Sequence, residues 1–353
     1  MREFEFEIAA RRVVFGPGSR HRLAEEIGTL GSQRVLVIAD PSHASTAEEI
    51  AQQLGARCVG TYDRVTAHVP VETAEAGREQ ARQLDADCYL AIGGGSAIGL
   101  AKAIALEIEQ PIVAVPTTYA GSEMTPIWGL TEGGVKRTGR AARVLPRLVI
   151  YDPELTTSLP PQVAGPSGLN AMAHCVEALY AENANPVMSL LAEEGVRSLA
   201  TALPRVVARP EDIDAQAEAL YGAWLGGLTL ASVGMALHHK LCHVLGGTFN
   251  TPHAETHALM LPYVTAFNLG SAPDAERRLR AALGTRAVAV ALRDLGQAVG
   301  APESLKALGL AESDLQRAAE LATQSPYYNP REVTTESVHA LLQDAYAGVM
   351  PRE

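Results

Sequence analysis

The sequence predicts two domains of different classes, an α/β domain over residues 1–160 and an all-α domain over residues 161–353. In the first part, short β-branched runs alternate with segments of helical periodicity, which is typical of a parallel, doubly wound sheet. The turn Leu159-Pro160-Pro161 ends this alternation. Beyond it, apolar residues recur at helical spacing and no further β-branched run follows.

Four short apolar runs predict the strands of the first domain. Each is followed by a Gly, Pro or Asp that starts a loop, and the runs cover residues 35–39, 88–92, 112–115 and 148–151. Helices are predicted between them, among others at 21–30 and 71–84. At the N-terminus, residues 4–8 and 12–15 alternate apolar and polar side chains, and we expect them to form an antiparallel pair.

The second domain is predicted from segments in which apolar residues recur every three to four positions. These segments are 162–182, 186–207, 212–245, 254–268 and 313–323. A cleft between two domains is a common place for a ligand, so we expect the binding site there.

Composition and charge exclude several classes of function. A net charge of −11 argues against a nucleic-acid partner or an anionic membrane held by bulk attraction. No stretch approaches the roughly 18 apolar residues of a spanning helix, and the N-terminus lacks a signal-peptide core. The four cysteines are scattered without a CxxC spacing, as in a reduced cytoplasmic protein. We therefore expect a cytoplasmic enzyme that acts on a small molecule.

A glycine-rich loop predicts a phosphate site. Gly93-Gly94-Gly95-Ser96 follows the predicted strand 88–92 and opens a helix. Glycines there let backbone N–H groups approach a pyrophosphate, and the helix N-terminus favours negative charge. The motif departs from G-x-G-x-x-G because Gly99 comes one place too late. A tight strand-to-helix turn without a ligand is the alternative interpretation.

Two further loops at the ends of predicted strands suit a dinucleotide. Asp40 could accept hydrogen bonds from a ribose hydroxyl, although it could also cap the segment after Pro41. Hydroxyl side chains follow the strand 112–115. Three loops at the carboxyl ends of neighbouring parallel strands support one another. The predicted binding residues for NADH or NADPH are Asp40, Gly94, Gly95, Ser96, Thr117, Thr118 and Ser122.

Five of the ten histidines fall between residues 238 and 257. His239 and His243 are four apart and share a helix face, as do Asn170 and His174, and a glycine-containing loop leads on to His253. We interpret the other two, His238 and His257, as satisfied or surface groups outside the site.

The residues alone leave two interpretations of this cluster open. His174, His239 and His253 could be nitrogen ligands of a divalent metal, with a carboxylate as the fourth ligand. The residue one turn before His174 is Asn170. Either the metal site is incomplete or the chemistry needs no metal.

In order and spacing, these motifs resemble the iron-containing alcohol dehydrogenases over nearly the whole chain. That family has a Gly-Gly-Gly-Ser loop, a Pro-Thr-Thr…Gly-Ser-Glu loop, an Asp-x-x-x-His helix, and a His-x-x-x-His segment with another histidine ten residues on. Here they match 93–96, 116–123, 170–174, and 239–253. The resemblance implies the fold shared with dehydroquinate synthase, a dinucleotide-binding α/β domain plus an all-α catalytic domain, and a homodimer.

Two departures from the family pattern bear on the chemistry. The aspartate among the metal ligands is replaced by Asn170, and the acid of Gly-Gly-Gly-Ser-x-x-Asp is replaced by Gly99. Both resemble the branch of the family that reduces maleylacetate and is thought to work without metal. The resemblance therefore implies NADH or NADPH as cofactor, no metal, and a small dicarboxylate as substrate.

The resemblance also suggests roles for side chains. His243 and His253 are expected nearest the reacting atoms, His174 and His239 as donors to an enolate or carboxylate, and Asn170 as an orienting group. The two carboxylates of the substrate require cations. We expect these in the basic loop 133–140, which could equally be a solvated turn. The candidate cations are Lys136, Arg137, Arg140, Lys240 and protonated histidines.

Three other functions stay open at this point. One is a metal-dependent alcohol or polyol dehydrogenase, another a lyase of the dehydroquinate synthase type, and the third a catalytically inactive NAD-binding protein.

Overall fold

A computed structural model describes residues 3–350, apart from the side chain of Lys136. Within these residues the chain divides into two compact units. The first is Ala9–Leu159, and the second starts at Pro160 and also includes the described residues before Ala9. The first unit is α/β and the second is helical, so the predicted fold class is confirmed.

The first unit contains a six-stranded parallel sheet in the order β1-β8-β5-β4-β2-β3 and a separate antiparallel hairpin of β6 and β7. Its strands are β1 Arg12–Phe15, β2 Val35–Ala39, β3 Cys58–Tyr62, β4 Cys88–Gly93, β5 Ile112–Pro116, β6 Ile127–Glu132, β7 Val135–Arg140 and β8 Leu148–Tyr151. Its helices are α1 Leu23–Thr29, α2 Ala44–Leu54, α3 Val71–Gln83 and α4 Gly95–Ala105.

The strand order creates a switch point between β2 and β4. The chain passes from β2 to β3 on one side, and then returns to pair β4 on the other side of β2. Strands β2, β4 and β5 are buried along their whole length, as expected of a parallel sheet covered on both faces. In such sheets, ligands bind at the carboxyl ends of the strands beside the switch point.

Two local predictions for the first unit are wrong. Residues 4–8 contain no strand, and β1 pairs in parallel with β8, with Arg12 opposite Leu148. An alternating pattern indicates a half-buried strand but does not identify its partner. The basic segment 133–140 is part of a hairpin rather than a loop. Its turn has positive φ at Gly133 and Gly134, the backbone that a two-residue hairpin turn requires.

The second unit contains no strand among its described residues. Its helices are α5 Pro161–Leu179, α6 Pro186–Ala208, α7 Ile213–Ser232, α8 Leu237–Phe249, α9 His253–Leu269, α10 Pro273–Leu283, α11 Val288–Ala298, α12 Leu315–Thr323 and α13 Thr335–Ala347. The segment 212–245, predicted as continuous, breaks between α7 and α8. No described helix alone is long and apolar enough to cross a membrane, and α7 with α8 passes that test only as a pair bent by 96°.

Helix α5 lies at the centre of the helical unit. Every residue from Ala164 to Leu179 is buried, and α5 packs against α6, α7, α9, α10 and α11. Small residues permit this close packing. A Cβ at Gly165 would overlap the carbonyl oxygen of Val299, and one at Gly168 would collide with the side chain of Leu203. Polar residues of α5 are therefore held inside the unit.

We expect Gly165→Ala to lower the free energy of unfolding by about 1–3 kcal/mol, because an overpacked core must shift to admit the methyl group. Gly247→Ala is the matched control, since Gly247 is an exposed position in α8 with no atom near its Cβ. That change should stabilise the protein by about 0.5–1 kcal/mol through lower backbone entropy. Chemical denaturation of the two variants measures the difference, and equal stability would contradict the packing described for α5.

Candidate active site

Asp40 follows β2, at the strand end beside the switch point. Its Oδ1 accepts hydrogen bonds from the backbone N–H of Ser42 at 3.1 Å and from Nδ1 of His43 at 2.8 Å. Partial burial alone would raise the pKa of Asp40, but these bonds outweigh it and the pKa is lowered. Asp40 is therefore a charged acceptor near neutral pH, and the same bonds also make it the predicted cap of the segment after Pro41.

The glycine loop packs against both neighbouring loops. Gly93 has φ +138°, and a Cβ there would lie 2.9 Å from Oδ2 of Asp40. A Cβ at Gly94 would lie 3.0 Å from Cγ2 of Thr118. Helix α4 begins at Gly95, where a Cβ would meet nothing closer than Ala120 at 3.8 Å. The structure thus brings Asp40, the glycine loop and Thr118 together at the start of a helix that can bind an anion.

The hydroxyl groups of the third loop differ in their surroundings. The hydroxyl of Thr117 is buried, with no hydrogen-bond partner among the described residues. Ser122, predicted to contact phosphate or ribose, accepts hydrogen bonds from Nζ of Lys102, at 2.6 Å to its carbonyl oxygen and 3.2 Å to its hydroxyl. These hydrogen bonds tie Ser122 and its loop to Lys102 of helix α4.

Lys102 organises this loop and was missed in the sequence analysis. Its side chain is fully buried and also donates to the carbonyl oxygens of Thr125 at 2.8 Å and Ile127 at 2.9 Å. Burial lowers its pKa to about 7, although nearby Glu123 opposes this. The available signal was a single lysine in the otherwise apolar helix 97–105.

Gly99, where the family pattern has an acid, is tightly packed. A Cβ at this position would lie 3.0 Å from Cγ2 of Val69, which is itself buried. A larger side chain would require Val69 to move.

The candidate cations lie on the hairpin of β6 and β7 and on helix α8. Arg137 of β7 forms an ion pair with Glu132 of β6 at 3.0 Å, and both side chains are largely exposed. Lys136 is also on β7, but its side chain lies outside the part of the chain that the structure describes. Lys240 is on α8, with its Nζ 6.0 Å from the ring centre of Tyr327.

Six histidines come together in the helical unit, including His174 of α5. The ring centres of His174 and His239 are 5.1 Å apart, and those of His239 and His243 are 6.0 Å apart. The rings of His243 and His253 stack at 6.3 Å. The structure therefore unites the four histidines that were predicted to form a site.

His257 lies in the middle of this cluster, contrary to the interpretation that it lay outside the site. Its ring centre is 4.4 Å from that of His253 and 4.9 Å from those of His238 and His239. The missed signal is its spacing, because His253 and His257 are four residues apart on one helix. Nδ1 of His257 is 3.0 Å from Nε2 of His238, which is 3.7 Å from Sγ of Cys242. This His238–Cys242–His257 trio has its ligand-type atoms within 4.8 Å of one another.

Burial keeps three of these rings neutral. It is the main cause that lowers the pKa of His174 and of His257 well below the usual value, and neighbouring histidines add to the effect. Burial also lowers the pKa of His238 to about 3, although Glu177 opposes it. Protonated histidines were expected to help bind carboxylates, and these three do not meet that expectation.

Glu177 of α5 is a buried carboxylate that the sequence analysis did not single out. Its Oε1 accepts from the backbone N–H groups of Ala236 at 3.1 Å and His238 at 2.8 Å. Its Oε2 accepts from the backbone N–H of His239 at 3.3 Å and is also bonded to His239 Nδ1. Burial would raise the pKa of Glu177, but His239 and these donors outweigh it, so the pKa is lowered.

The four positions that correspond to the family's metal ligands are Asn170, His174, His239 and His253. Asn170 Oδ1 and His239 Nε2 are buried, with no hydrogen-bond partner among the described residues. Such atoms can face a cation or a donor group of a substrate. Three imidazole nitrogens can hold zinc, but the set lacks the anionic oxygen that hard divalent ions prefer. The residues present therefore fit the family's metal only incompletely.

Comparison with known proteins identifies the family. Residues 10–153 match the iron-containing alcohol dehydrogenase model, and residues 165–346 match the C-terminal model of the Fe-containing alcohol dehydrogenase family. A maleylacetate reductase from Burkholderia cepacia is 52% identical over 99% of this chain and 100% of its own. Crystal structures of maleylacetate reductases from Agrobacterium tumefaciens and Rhizobium sp. strain MTP-10005 superpose with TM-scores of 0.97 and 0.96. They are 48% and 49% identical, each over 99% of this chain and 100% of the other. The chain therefore belongs to the iron-containing alcohol dehydrogenase family, within its maleylacetate reductase branch.

Proposed function

We propose that this protein reduces the C=C bond of maleylacetate, and of chlorinated maleylacetates, to the corresponding 3-oxoadipate with NADH or NADPH. The observation that carries the proposal is the match to maleylacetate reductases along the full chain. The reaction belongs late in the breakdown of aromatic compounds.

The proposed reaction is a conjugate reduction. A hydride from the nicotinamide forms a C–H bond at the alkene carbon β to the ketone, and the π electrons move onto the ketone oxygen as an enolate. A proton then adds to the alkene carbon next to the ketone. One hydride and one proton enter the substrate, and a bound reduced dinucleotide would supply the hydride and so be oxidised.

The histidine cluster supports the enolate step. Neutral imidazoles can donate N–H hydrogen bonds to a developing oxyanion without bringing a charge, and His174 and His257 are buried and neutral. We assign proton delivery to His243 and His253, which stack on each other. Asn170 orients the substrate through its amide.

The substrate carboxylates require cations from elsewhere. The candidates are Lys136, Arg137, Arg140 and Lys240, of which Arg137 also forms an exposed ion pair with Glu132. A charged side chain can bind each carboxylate through short charge-assisted hydrogen bonds.

We propose that the reaction needs no divalent metal. The support is chemical, since the alkene is already activated by the ketone and Asn170 supplies no charge to the ligand positions. The competing function is a metal-dependent alcohol dehydrogenase, which the three nitrogen donors His174, His239 and His253 favour.

The first test measures NADH and NADPH oxidation with maleylacetate, before and after dialysis against a strong chelator. We expect full activity after chelation and sub-stoichiometric metal by elemental analysis. Asn170→Asp should gain affinity for a divalent ion without faster maleylacetate reduction. One equivalent of iron or zinc that is lost and restored together with activity would establish the alcohol dehydrogenase chemistry instead.

A second test concerns the dinucleotide. Gly95→Val should raise the dissociation constant of the reduced dinucleotide at least about tenfold, roughly 1.4 kcal/mol, because its side chain blocks approach of phosphate to the start of α4. The protein itself has room for a Cβ there, so the melting temperature should change little. Gly247→Val is the matched control on another helix. Unchanged binding in a fluorescence titration of Gly95→Val would refute this location for the phosphates.

A third test concerns proton delivery. His253→Ala should lower kcat for maleylacetate by about 10²-fold or more, as expected when a general acid is lost. His339→Ala, on α13 and outside the cluster, should keep kcat within about twofold of the wild type. Steady-state kinetics compare the two, and similar values for both variants would remove His253 from the mechanism.

A further inference from the structure

We propose that Glu177 is a positioning residue that holds the proton of His239 on Nδ1 and so presents the lone pair of Nε2 to the histidine cluster. The tautomer follows from the geometry alone. Its effect on turnover rests on the proposed function.

The argument starts from the donors around the carboxylate. Oε1 of Glu177 receives the backbone N–H groups of Ala236 and His238, and Oε2 receives the backbone N–H of His239. Each oxygen thus already faces at least one N–H group. Three N–H donors around one carboxyl group favour its ionised form, and an ionised carboxylate can only accept hydrogen bonds. The remaining contact, between Oε2 and Nδ1 of His239, is therefore donated by the imidazole.

The same carboxylate also fixes the start of helix α8. Its three backbone partners are at the N-terminus of that helix, where N–H groups have no partner within the helix. A negative charge there is stabilised by the helix dipole. Because the bonds to α8 hold both oxygens, Glu177 cannot turn away from His239 without uncapping the helix.

The hydrogen on Nδ1 determines what the other ring nitrogen of His239, Nε2, can do. A neutral imidazole with its hydrogen on Nδ1 offers only a lone pair at Nε2. Nε2 of His239 is buried and unpartnered among the described residues, with the rings of His174 and His257 beside it. His239 was expected to donate a hydrogen bond to an enolate or carboxylate. We now assign it as an acceptor, whose Nε2 orients a donor or takes up a proton.

Glu177→Gln tests this directly. The amide oxygen can keep the bonds from Ala236 and His238, while the NH₂ group takes the place of Oε2. That group donates to Nδ1, so the hydrogen of His239 should move to Nε2. An amide in place of such a carboxylate elsewhere keeps the geometry but gives the wrong tautomer. We expect kcat to fall by about 10²- to 10⁴-fold, with KM and dinucleotide affinity changed less than about threefold.

The matched control is Asp212→Asn. Asp212 caps helix α7 through the backbone N–H of Ala215 at 3.1 Å, and its carboxylate otherwise bonds to Arg205 and Arg209 rather than to a histidine. A merely structural role for Glu177 would make the two variants alike, with a lower melting temperature and nearly unchanged kcat. A loss of kcat in Glu177→Gln beyond that of Asp212→Asn separates positioning from capping.

The tautomer itself is read by ¹⁵N NMR of histidine-labelled protein, with His239→Gln to assign the signals. We expect a protonated Nδ1 and a bare Nε2 in the wild type, and the reverse in Glu177→Gln. This measurement needs no substrate, so its result is valid even if maleylacetate is not reduced. If the Glu177→Gln variant does not fold, the wild-type spectrum alone shows which nitrogen of His239 carries the hydrogen. A wild-type His239 with its hydrogen on Nε2, or a Glu177→Gln enzyme with full turnover, would overturn the proposal.

Discussion

The candidate site depends on one constraint, the burial of helix α5 from Ala164 to Leu179. Asn170, His174 and Glu177 lie at spacings of four and three residues, so they share one face of that helix. Because α5 is buried on every side, this polar face must find its partners inside the protein. Unpaired polar groups are costly there. Helix α8 supplies the partners of Glu177, whose carboxylate binds His239 and N–H groups at the start of that helix. Asn170 Oδ1 and His174 Nδ1 have no hydrogen-bond partner among the described residues, and they face the histidine cluster of α8 and α9.

Burial also determines what the histidines can do. Removal from water disfavours the charged form of an imidazole, and the crowding of several rings adds mutual repulsion. His174, His238 and His257 are therefore neutral hydrogen-bonding groups rather than cations. His239 differs from these three in its partner, because a carboxylate touches it. Three of the six rings, which look like possible cations in the sequence, are thus oriented dipoles.

The sequence predicts the regular parts of this architecture and misses what depends on tertiary contacts. Buried parallel strands such as β2 and β8 are continuous apolar runs, and their predicted bounds match the structure. The break between α7 and α8 was not predictable from periodicity. It is stabilised by side chains from elsewhere, Asn183 on the N–H of Gly234 and Glu177 on that of Ala236. Hairpin β6–β7 was likewise obscured by its charged strand, although its Gly-Gly turn was visible.

The site residues divide in the same way, into those that sequence spacing predicts and those that depend on tertiary contacts. His239, His243 and His253 were recognisable because spacing and loop placement converge on them, whereas His257 had only its spacing from His253. Glu177 had no signal of its own, since its role comes from backbone N–H groups some sixty residues later in the chain. Lys102 is similar, because its partners are mostly carbonyl oxygens, and carbonyl positions cannot be read from residue types.

The electrostatic surroundings of Asn170 explain why a neutral residue suits this position. Aspartate and asparagine have nearly the same shape, so the exchange leaves the packing of α5 intact and removes one charge. With the neighbouring rings neutral, an aspartate here would stand as a second buried carboxylate on the same helix face as Glu177. Two such charges would repel each other and any dianionic substrate. A divalent ion would compensate an aspartate, whereas an asparagine needs no such compensation. The neutral residue therefore leaves Glu177 as the one buried carboxylate on this face of α5 and adds no charge that would repel the dianionic substrate proposed above.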